Sequence, residues 1–415
     1  MMTPSDPSLA AIRAQDPEVA EWLEREDERQ ANTITLIASE NHCSKAVRAA
    51  CASRLTDKYA EGYPGRRYYG GCAVADEVEE LARKRALQLF QGMDYANVQP
   101  HSGTSGNVAA LLAIAGPNGR IAGMALKAGG HLTHGYDKSH TGQLFAARQY
   151  GVDERTGLID LDEVRTLCKE HRPHVLIAGG SSYARDIDYK AFAEIAREVG
   201  AVLMADIAHP AGLMAAGVVP SPIGHADVIT MTTHKTLRGP RGGLILARSE
   251  FAKKIQSSVF PGGQGGPLMH QIAGKAVAFG EALKPEFRSY QQRVKENAAH
   301  LAACLQNGGL SIVTGGTDNH IVLVDLRATD TTGAEVEDAA PLAGISVNKN
   351  AVPGDPRPPM VTSGLRLGTA AATTRGMGKP EMEILAEVIL GLVRKQDPES
   401  FRGRVLDLCK AFPLP

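Results

Sequence analysis

HVLIAGGSSYARDIDYKAFAEIAREVGAVLMAD (174–206) opens and closes on short apolar runs, with one helical stretch between them. HVLIAGG (174–180) and AVLMAD (201–206) are rich in Val, Ile and Leu and apolar on both faces, as strands buried between helix layers are. KAFAEIAREVG (190–200) reads as a helix closed by glycine. Strand, helix and strand at this spacing predict a parallel sheet with right-handed crossovers. DVITMT (227–232) and GGLILA (242–247) supply further strands. The fold class is therefore α/β. Ligands of such sheets gather at the carboxyl ends of the strands, so residues just past those ends are the first candidates for chemistry.

Outward from this stretch, 415 residues are too many for one ordinary core and predict two domains with an arm. Residues 17–31 read as a helix carrying Val19, Trp22 and Leu23 among many charges, part of an N-terminal arm spanning 1–45. A large domain is expected over 46–284. Residues 284–307 read as one long helix leaving it, stopped by Gly308 and Gly309, and a small α+β domain is expected over 285–415, closed by a helix at 379–395. Lys and Arg total 45 against 46 Asp and Glu, so charge gives no reason to expect nucleic acid or an anionic membrane as partner. No apolar run has the length of a membrane span, and the first residues lack the basic start and apolar core of a signal peptide. The cytoplasm is the expected compartment. Cys43, Cys51, Cys72, Cys168, Cys304 and Cys409 form no C-x-x-C pair and have no His at zinc spacing, so reduced thiols and no metal site are expected.

Asp206 ends a buried strand, where an ionised carboxylate is costly without a positive partner. A helix cap or structural ion pair explains that position as well as a chemical role does. The chemical role is an acid that keeps a pyridine nitrogen protonated, with His209 three residues on as a second contact. Lys235, in TTHKTLRGPRGG (232–243), follows the next strand. A lysine there loses solvation and becomes a nucleophilic amine. HSGTSGNVAALLAI (101–114) gives a Ser–Gly–Thr turn opening an apolar helix, a place suited to an anion. FPGGQGGP (260–267) fits neither helix nor strand and suits close approach to a ligand or another chain.

Taken in order, LIASENHCS (36–44), DKYAEGYPGRRYYGG (57–71), NVQPHSG (97–103), GGHLTHG (129–135), ADIAHPAGL (205–213), TTHKTLRGPRGG (232–243), FPGGQGGPLMH (260–270), TGGTDNH (314–320), ISVNKNAVP (345–353) and VTSGLRLGT (361–369) resemble serine hydroxymethyltransferase. The resemblance runs from about residue 20 to the end, and its second and sixth segments are its most specific. It implies fold type I of the pyridoxal 5'-phosphate (PLP) enzymes: a mostly parallel seven-stranded sheet in the large domain and a small α+β domain. It implies a homodimer, or a dimer of dimers, with shared active sites, and transfer of a one-carbon unit between serine and tetrahydrofolate. Lys235 would hold PLP, Asp206 would pair with its ring nitrogen, His131 would stack on the ring and His209 would contact its phenolic oxygen. Ser102, Gly103 and Thr104 would bind the phosphate, with Tyr59 and Gly266 of the partner subunit; Ser181 and Thr232 join the cofactor set. Lys235, Asp206, His131, His234 and Glu61 make the catalytic set. Glu61 would act near the substrate hydroxyl and the folate. Arg366 would grip the amino-acid carboxylate as a fork, supported by Ser39 and Tyr69. Tyr68, Leu126, Gly129, Gly130 and Asn350 would line the folate site.

Some segments depart from the usual family pattern: SGTSGN (102–107), LKAGGH (126–131), HGYDKSHTG (134–142), GSSYA (180–184) and GTAA (368–371). Drift explains them. So does a reshaped pocket that admits a methyl on Cα, which would make the chain a 2-methylserine hydroxymethyltransferase, since one methyl is worth only about 1–3 kcal/mol. A folate-independent aldolase of 3-hydroxy amino acids is a third reading, and the folate-lining match argues against it. A PLP fold used only for binding is a fourth; the presence of both Lys235 and Arg366 argues against that.

Overall fold

The computed structural model describes residues 7–415; residues 1–6, the start of the expected arm and of the stretch read for a targeting signal, lie outside it. Seven strands build the main sheet: β1 (Tyr95–Asn97), β2 (Arg120–Met124), β3 (Ala146–Tyr150), β4 (Val175–Gly179), β5 (Val202–Asp206), β6 (Val228–Thr232) and β7 (Gly243–Ala247). Their spatial order is β1-β7-β6-β5-β4-β2-β3. β2 to β6 pair in parallel, whereas β7 runs antiparallel to both its neighbours. GGLILA therefore departs from the all-parallel pattern. Its direct return from β6 through residues 233–242 is shorter than the crossover of roughly a dozen or more residues that a parallel partner needs.

Both faces of the sheet are covered, which is why its strands read apolar throughout. One face packs on Phe192 and Ile195 of helix Tyr189–Val199 and on Ile272 and Phe279 of helix Met269–Ala282. The other packs on Ala109, Ala110 and Leu111 of helix Gly103–Ala115. Asp188 caps Tyr189–Val199 by accepting from the Ala191 amide at 3.0 Å, and Gly200 ends it in the left-handed conformation, as its sequence predicts.

Helix Pro285–Asn307 joins two cores. Phe287, Tyr290 and Val294 pack in the large domain, while Ala298, Leu301 and Leu305 pack in the small one. The small domain has an antiparallel sheet ordered Ser311–Ile312, Ile321–Asp325, Gly364–Gly368, Asn348–Asn350. Part of the expected arm is built into this domain. Ile34–Thr35 pairs in parallel with Ile345–Ser346, and Ile34 and Leu36 are wholly buried among its side chains. An apolar strand left as a free arm would expose both its side chains and its backbone. The preceding helix, Pro17–Ala31, keeps the arm-like character: Val19, Trp22 and Leu23 are 45%, 61% and 41% exposed. No described helix is long and apolar enough to cross a membrane.

Arg375 ties the two ends of the described chain together. Buried, it donates to the carbonyls of Thr33 (2.8 Å), Cys409 (3.1 Å) and Phe412 (2.6 Å). Arg375→Met removes every donor from these carbonyls and is expected to lower stability by about 3 kcal/mol, read from the first transition of a guanidinium titration. A loss under about 1 kcal/mol would mean that water takes over the carbonyls.

Candidate active site

The carboxyl ends of β1, β2, β4, β5 and β6 converge on a cavity of about 270 Å³, lined among others by Ser102, His131, Ser181, Asp206, Thr232 and Lys235. Ser39, Gly103, Thr104 and His234 also line it. Most of the expected cofactor residues thus come together in one chain.

Asp206 is the best-held group there. Its Oδ2 accepts from Asn107 Nδ2 at 2.8 Å and from His134 Nε2 at 2.9 Å, and its Oδ1 accepts from the Ala208 amide at 3.1 Å. His134 Nδ1 accepts from the His131 amide at 3.2 Å, which places the His134 ring proton on Nε2, facing Asp206. Burial alone would push Asp206 upward. The hydrogen bonds from His134 and Asn107 outweigh burial and hold it well below the carboxylate range. Asp206 is therefore an ionised carboxylate in the interior, held by hydrogen bonds and touching no Lys or Arg among the described residues. An N–H cation such as a pyridinium is the group such a site fits. The helix-cap and simple ion-pair explanations do not describe it.

His131 Nδ1 sits 2.7 Å from Thr133 Oγ1 and accepts from the Thr133 amide at 3.2 Å, which leaves its proton on Nε2. Burial pulls His131 down to about 4, so it is neutral at physiological pH. Thr133 Oγ1 in turn meets Asn107 Nδ2 at 2.7 Å, which links His131 to Asp206. Lys235, 8% exposed, has no hydrogen-bond partner for Nζ among the described residues. Burial lowers it from 10.5 to about 8, although Asp206 pulls the other way. His234 is lowered to about 3, chiefly by burial, and its Nδ1 accepts from the Gly242 amide at 3.4 Å. Thr232 Oγ1 donates to the Ala208 carbonyl at 3.1 Å.

Helix Gly103–Ala115 points its N-terminus at the cavity. Ser102 and Ser105 form a reciprocal cap, Ser102 Oγ accepting from the Ser105 amide at 3.1 Å and Ser105 Oγ from the Ser102 amide at 3.0 Å. The Gly106 amide is used by the Ser102 carbonyl, leaving the amides of Gly103 and Thr104 without an acceptor among the described residues. Gly103 is required there, because a Cβ would lie 2.7 Å from Thr232 Cγ2. This end of a helix suits a phosphate.

Arg366 comes from the small-domain strand Gly364–Gly368. Its Nη1 donates to the Ser181 carbonyl at 3.0 Å and its Nη2 to Asn348 Oδ1 at 3.3 Å, while the buried Nε has no partner. Burial lowers it to about 10, so it stays a cation, and it pairs with no carboxylate among the described residues. His209 lies deeper, off the main cavity; it stacks on His320, with Nδ1 3.3 Å from His320 Nε2, and lines a void of about 20 Å³ beside Asp206.

The remaining expected residues stand elsewhere. Tyr59, Tyr68 and Tyr69 are 54%, 76% and 47% exposed, and neither they nor Glu61 line the Lys235 cavity. They form a surface cluster: the Tyr59 and Tyr69 rings meet edge-on at 4.9 Å, Tyr68 lies against Phe260, and Gly266 faces the Tyr59 ring. Leu126, Gly129 and Gly130 form a turn after β2 that is bonded to the Ser181 amide through the Gly129 carbonyl at 2.6 Å. Asn350 lies on the strand beside Arg366. Their neighbours Lys127, Ala128 and Ala351 line a cavity of about 730 Å³. Tyr136, Asp137 and Lys138 line neither cavity.

Sequence reasoning passed over Asn107, Thr133 and His134, which hold Asp206 and His131. The signal was an Asn inside an otherwise apolar helix, next to a Thr and a His in GGHLTHG.

A sequence model of the family described as "Serine hydroxymethyltransferase" matches residues 12–389. A "Serine hydroxymethyltransferase" of Desulforapulum autotrophicum is 54% identical over 407 residues, covering 98% of this chain and 98% of that one.

In the protein without cofactor, Lys235 is expected to react with acetic anhydride with a midpoint near pH 8, read by peptide mass spectrometry. Below that pH it is protonated and unreactive. A midpoint at 10 or above would mean that its burial does not desolvate it.

Proposed function

The chain belongs to the serine hydroxymethyltransferase family, and we propose that Lys235 is the residue that carries its cofactor. The protein is a PLP-dependent hydroxymethyltransferase that moves a one-carbon unit between serine and tetrahydrofolate, giving glycine and 5,10-methylenetetrahydrofolate. The 2-methylserine alternative is not favoured. The near full-length relative carries the serine name, and residues 136–138 lie off the pocket. The observation that supports the assignment of Lys235 most strongly is its place in one cavity with an ionised, hydrogen-bonded Asp206.

PLP supplies an electron-withdrawing ring that takes up charge from the amino acid's Cα as the Cα–Cβ bond breaks. The chain's own residues do the rest. Asp206 accepts the ring N–H and keeps it protonated. Lys235, lowered to about 8, offers an amine that is partly neutral at working pH. His131, neutral and lining the cavity, would be the residue that packs against the ring, and His209, one layer deeper beside Asp206, would support it. Ser102, Gly103 and Thr104 take the phosphate on a helix N-terminus, with Ser181, Thr232 and His234 closing the walls. Arg366 binds the substrate carboxylate with its planar fork, steadied by Ser39. Glu61 holds or takes the proton of the serine hydroxyl.

Glu61, Tyr59, Tyr68, Tyr69 and Gly266 act in the partner's site. They cluster on the surface away from their own Lys235, and a two-fold homodimer delivers such a patch to the other copy. The exposed stripe of Val19, Trp22 and Leu23 is further apolar surface for that contact. Leu126, Gly129, Gly130 and Asn350 face the folate. A large domain over 46–284, a small domain over 285–415 that takes up Ile34–Thr35 of the arm, a dimer or dimer of dimers, and a cytoplasmic location belong to the same reading.

Tetrahydrofolate-dependent turnover of L-serine is expected to exceed that of 2-methyl-L-serine by about tenfold or more, with Lys235→Ala as the inactive blank. Preference for 2-methylserine would overturn the substrate assignment. Lys235→Ala and Glu61→Ala chains, each inactive alone, are expected to regain roughly a quarter of wild-type activity after subunit exchange: half the dimers are hybrids with one of two sites intact. No recovery in verified hybrids would place Glu61 in its own chain's site.

A further inference from the structure

Lys275 is a buried cation that the proposed chemistry leaves unused. It lies in helix Met269–Ala282, which covers one face of the main sheet, and is 2% exposed. Its Nζ donates to the carbonyls of Val98 (2.6 Å), Pro100 (3.1 Å) and Gly243 (2.9 Å). Three acceptors use all the protons of an ammonium, whereas a neutral amine has only two to give. No carboxylate touches it among the described residues; Glu79 is bonded instead to Arg67 (2.7 Å) and Gln99 (2.9 Å). Burial works against the charge and Glu79 works for it, while the three carbonyls give each ammonium proton an acceptor. An apolar side chain would fill the same space without desolvating a charge, so the packing alone does not explain a lysine.

The three carbonyls have something in common. Val98 and Pro100 lie in the segment that runs from β1 into the turn at Ser102, and Gly243 begins β7 alongside it. Pro100 also accepts from the Gly243 amide at 3.0 Å, and a Cβ on Gly243 would lie 2.3 Å from the Ser102 carbonyl. With the Pro100 carbonyl turned to Lys275, the His101 N–H of the same planar peptide faces the other way and donates to Gln264 at 3.0 Å. The peptides leading into the helix are thus fixed on both sides. We propose that Lys275 is a positioning residue: its ammonium clamps the Val98–Pro100 segment to Gly243 and so holds Ser102, Gly103 and Thr104 where they receive a phosphate.

This rests on reading Ser102–Thr104 as the phosphate cradle, and the test separates the two. Apoenzyme variants are titrated with PLP and with pyridoxal, which lacks the phosphate, by absorbance. Lys275→Met is expected to weaken PLP about tenfold while leaving pyridoxal within about twofold. Gly242→Ala keeps the charge but sets a Cβ 2.4 Å from Lys275 Cε and 2.9 Å from Nζ, which displaces the ammonium. It is expected to weaken PLP severalfold with the same selectivity, and it decides alone if Lys275→Met does not fold. Equal losses for both ligands, or none in either variant, overturn the proposal. A Ser102→Ala/Thr104→Ala variant that keeps the wild-type preference for PLP over pyridoxal would instead overturn the cradle itself.

Discussion

An ionised carboxylate inside a protein must be held by hydrogen bonds or by a cation, and Asp206 is held by hydrogen bonds. Its donors come from three places: Asn107 in the helix after β1, His134 in the turn after β2 and the backbone just past β5 itself. The two side-chain donors are in turn fixed by other bonds, His134 by the His131 amide and Asn107 by Thr133. The order of the strands brings these elements to one end of the sheet. Shifting any of them would strand the charge, so the geometry of the cavity is tied to the topology.

The same end of the sheet concentrates positive charge. Lys235, Arg366 and Arg241 all lower the affinity of nearby groups for protons, and no acidic side chain other than Asp206 and the exposed Glu40 lines the cavity. Such a site favours anionic ligands, a phosphate and a carboxylate among them. Burial, meanwhile, keeps His131, His209 and His234 neutral. The cavity thus carries fixed cations with neutral, tautomer-defined rings between them.

Much of this was legible in the sequence. The apolar runs at 174–180, 201–206 and 227–232 form strands at those places, and Lys235 and Asp206 follow them as expected. Local pattern does not encode direction when the loop is the informative part, so β7 read as one more strand of a parallel set. Asn107, Thr133 and His134 escaped because each is unremarked alone. Their meaning comes from contacts across the chain: 99 residues separate Asn107 from Asp206. The membership of Ile34–Thr35 in the small domain was hidden for the same reason, since its partner lies at Ile345–Ser346. Glu61 and the tyrosines around it could be identified by resemblance but not placed by periodicity, because their surroundings are on the surface.

The pairing of Ile34–Thr35 with Ile345–Ser346, and the clasp of Arg375 on Thr33 and Phe412, bear on how the chain emerges from the ribosome. All seven strands of the main sheet lie between residues 95 and 247 and can pair while synthesis continues. The first strand cannot. Ile34 and Leu36 stay without their partners until almost the whole chain has been made, through the entire assembly of the large domain. During that interval the nascent chain carries a sticky leading segment, the kind of surface that holdase chaperones cover. Slow synthesis of the last hundred or so residues would lengthen that exposure, whatever the stability of the finished protein.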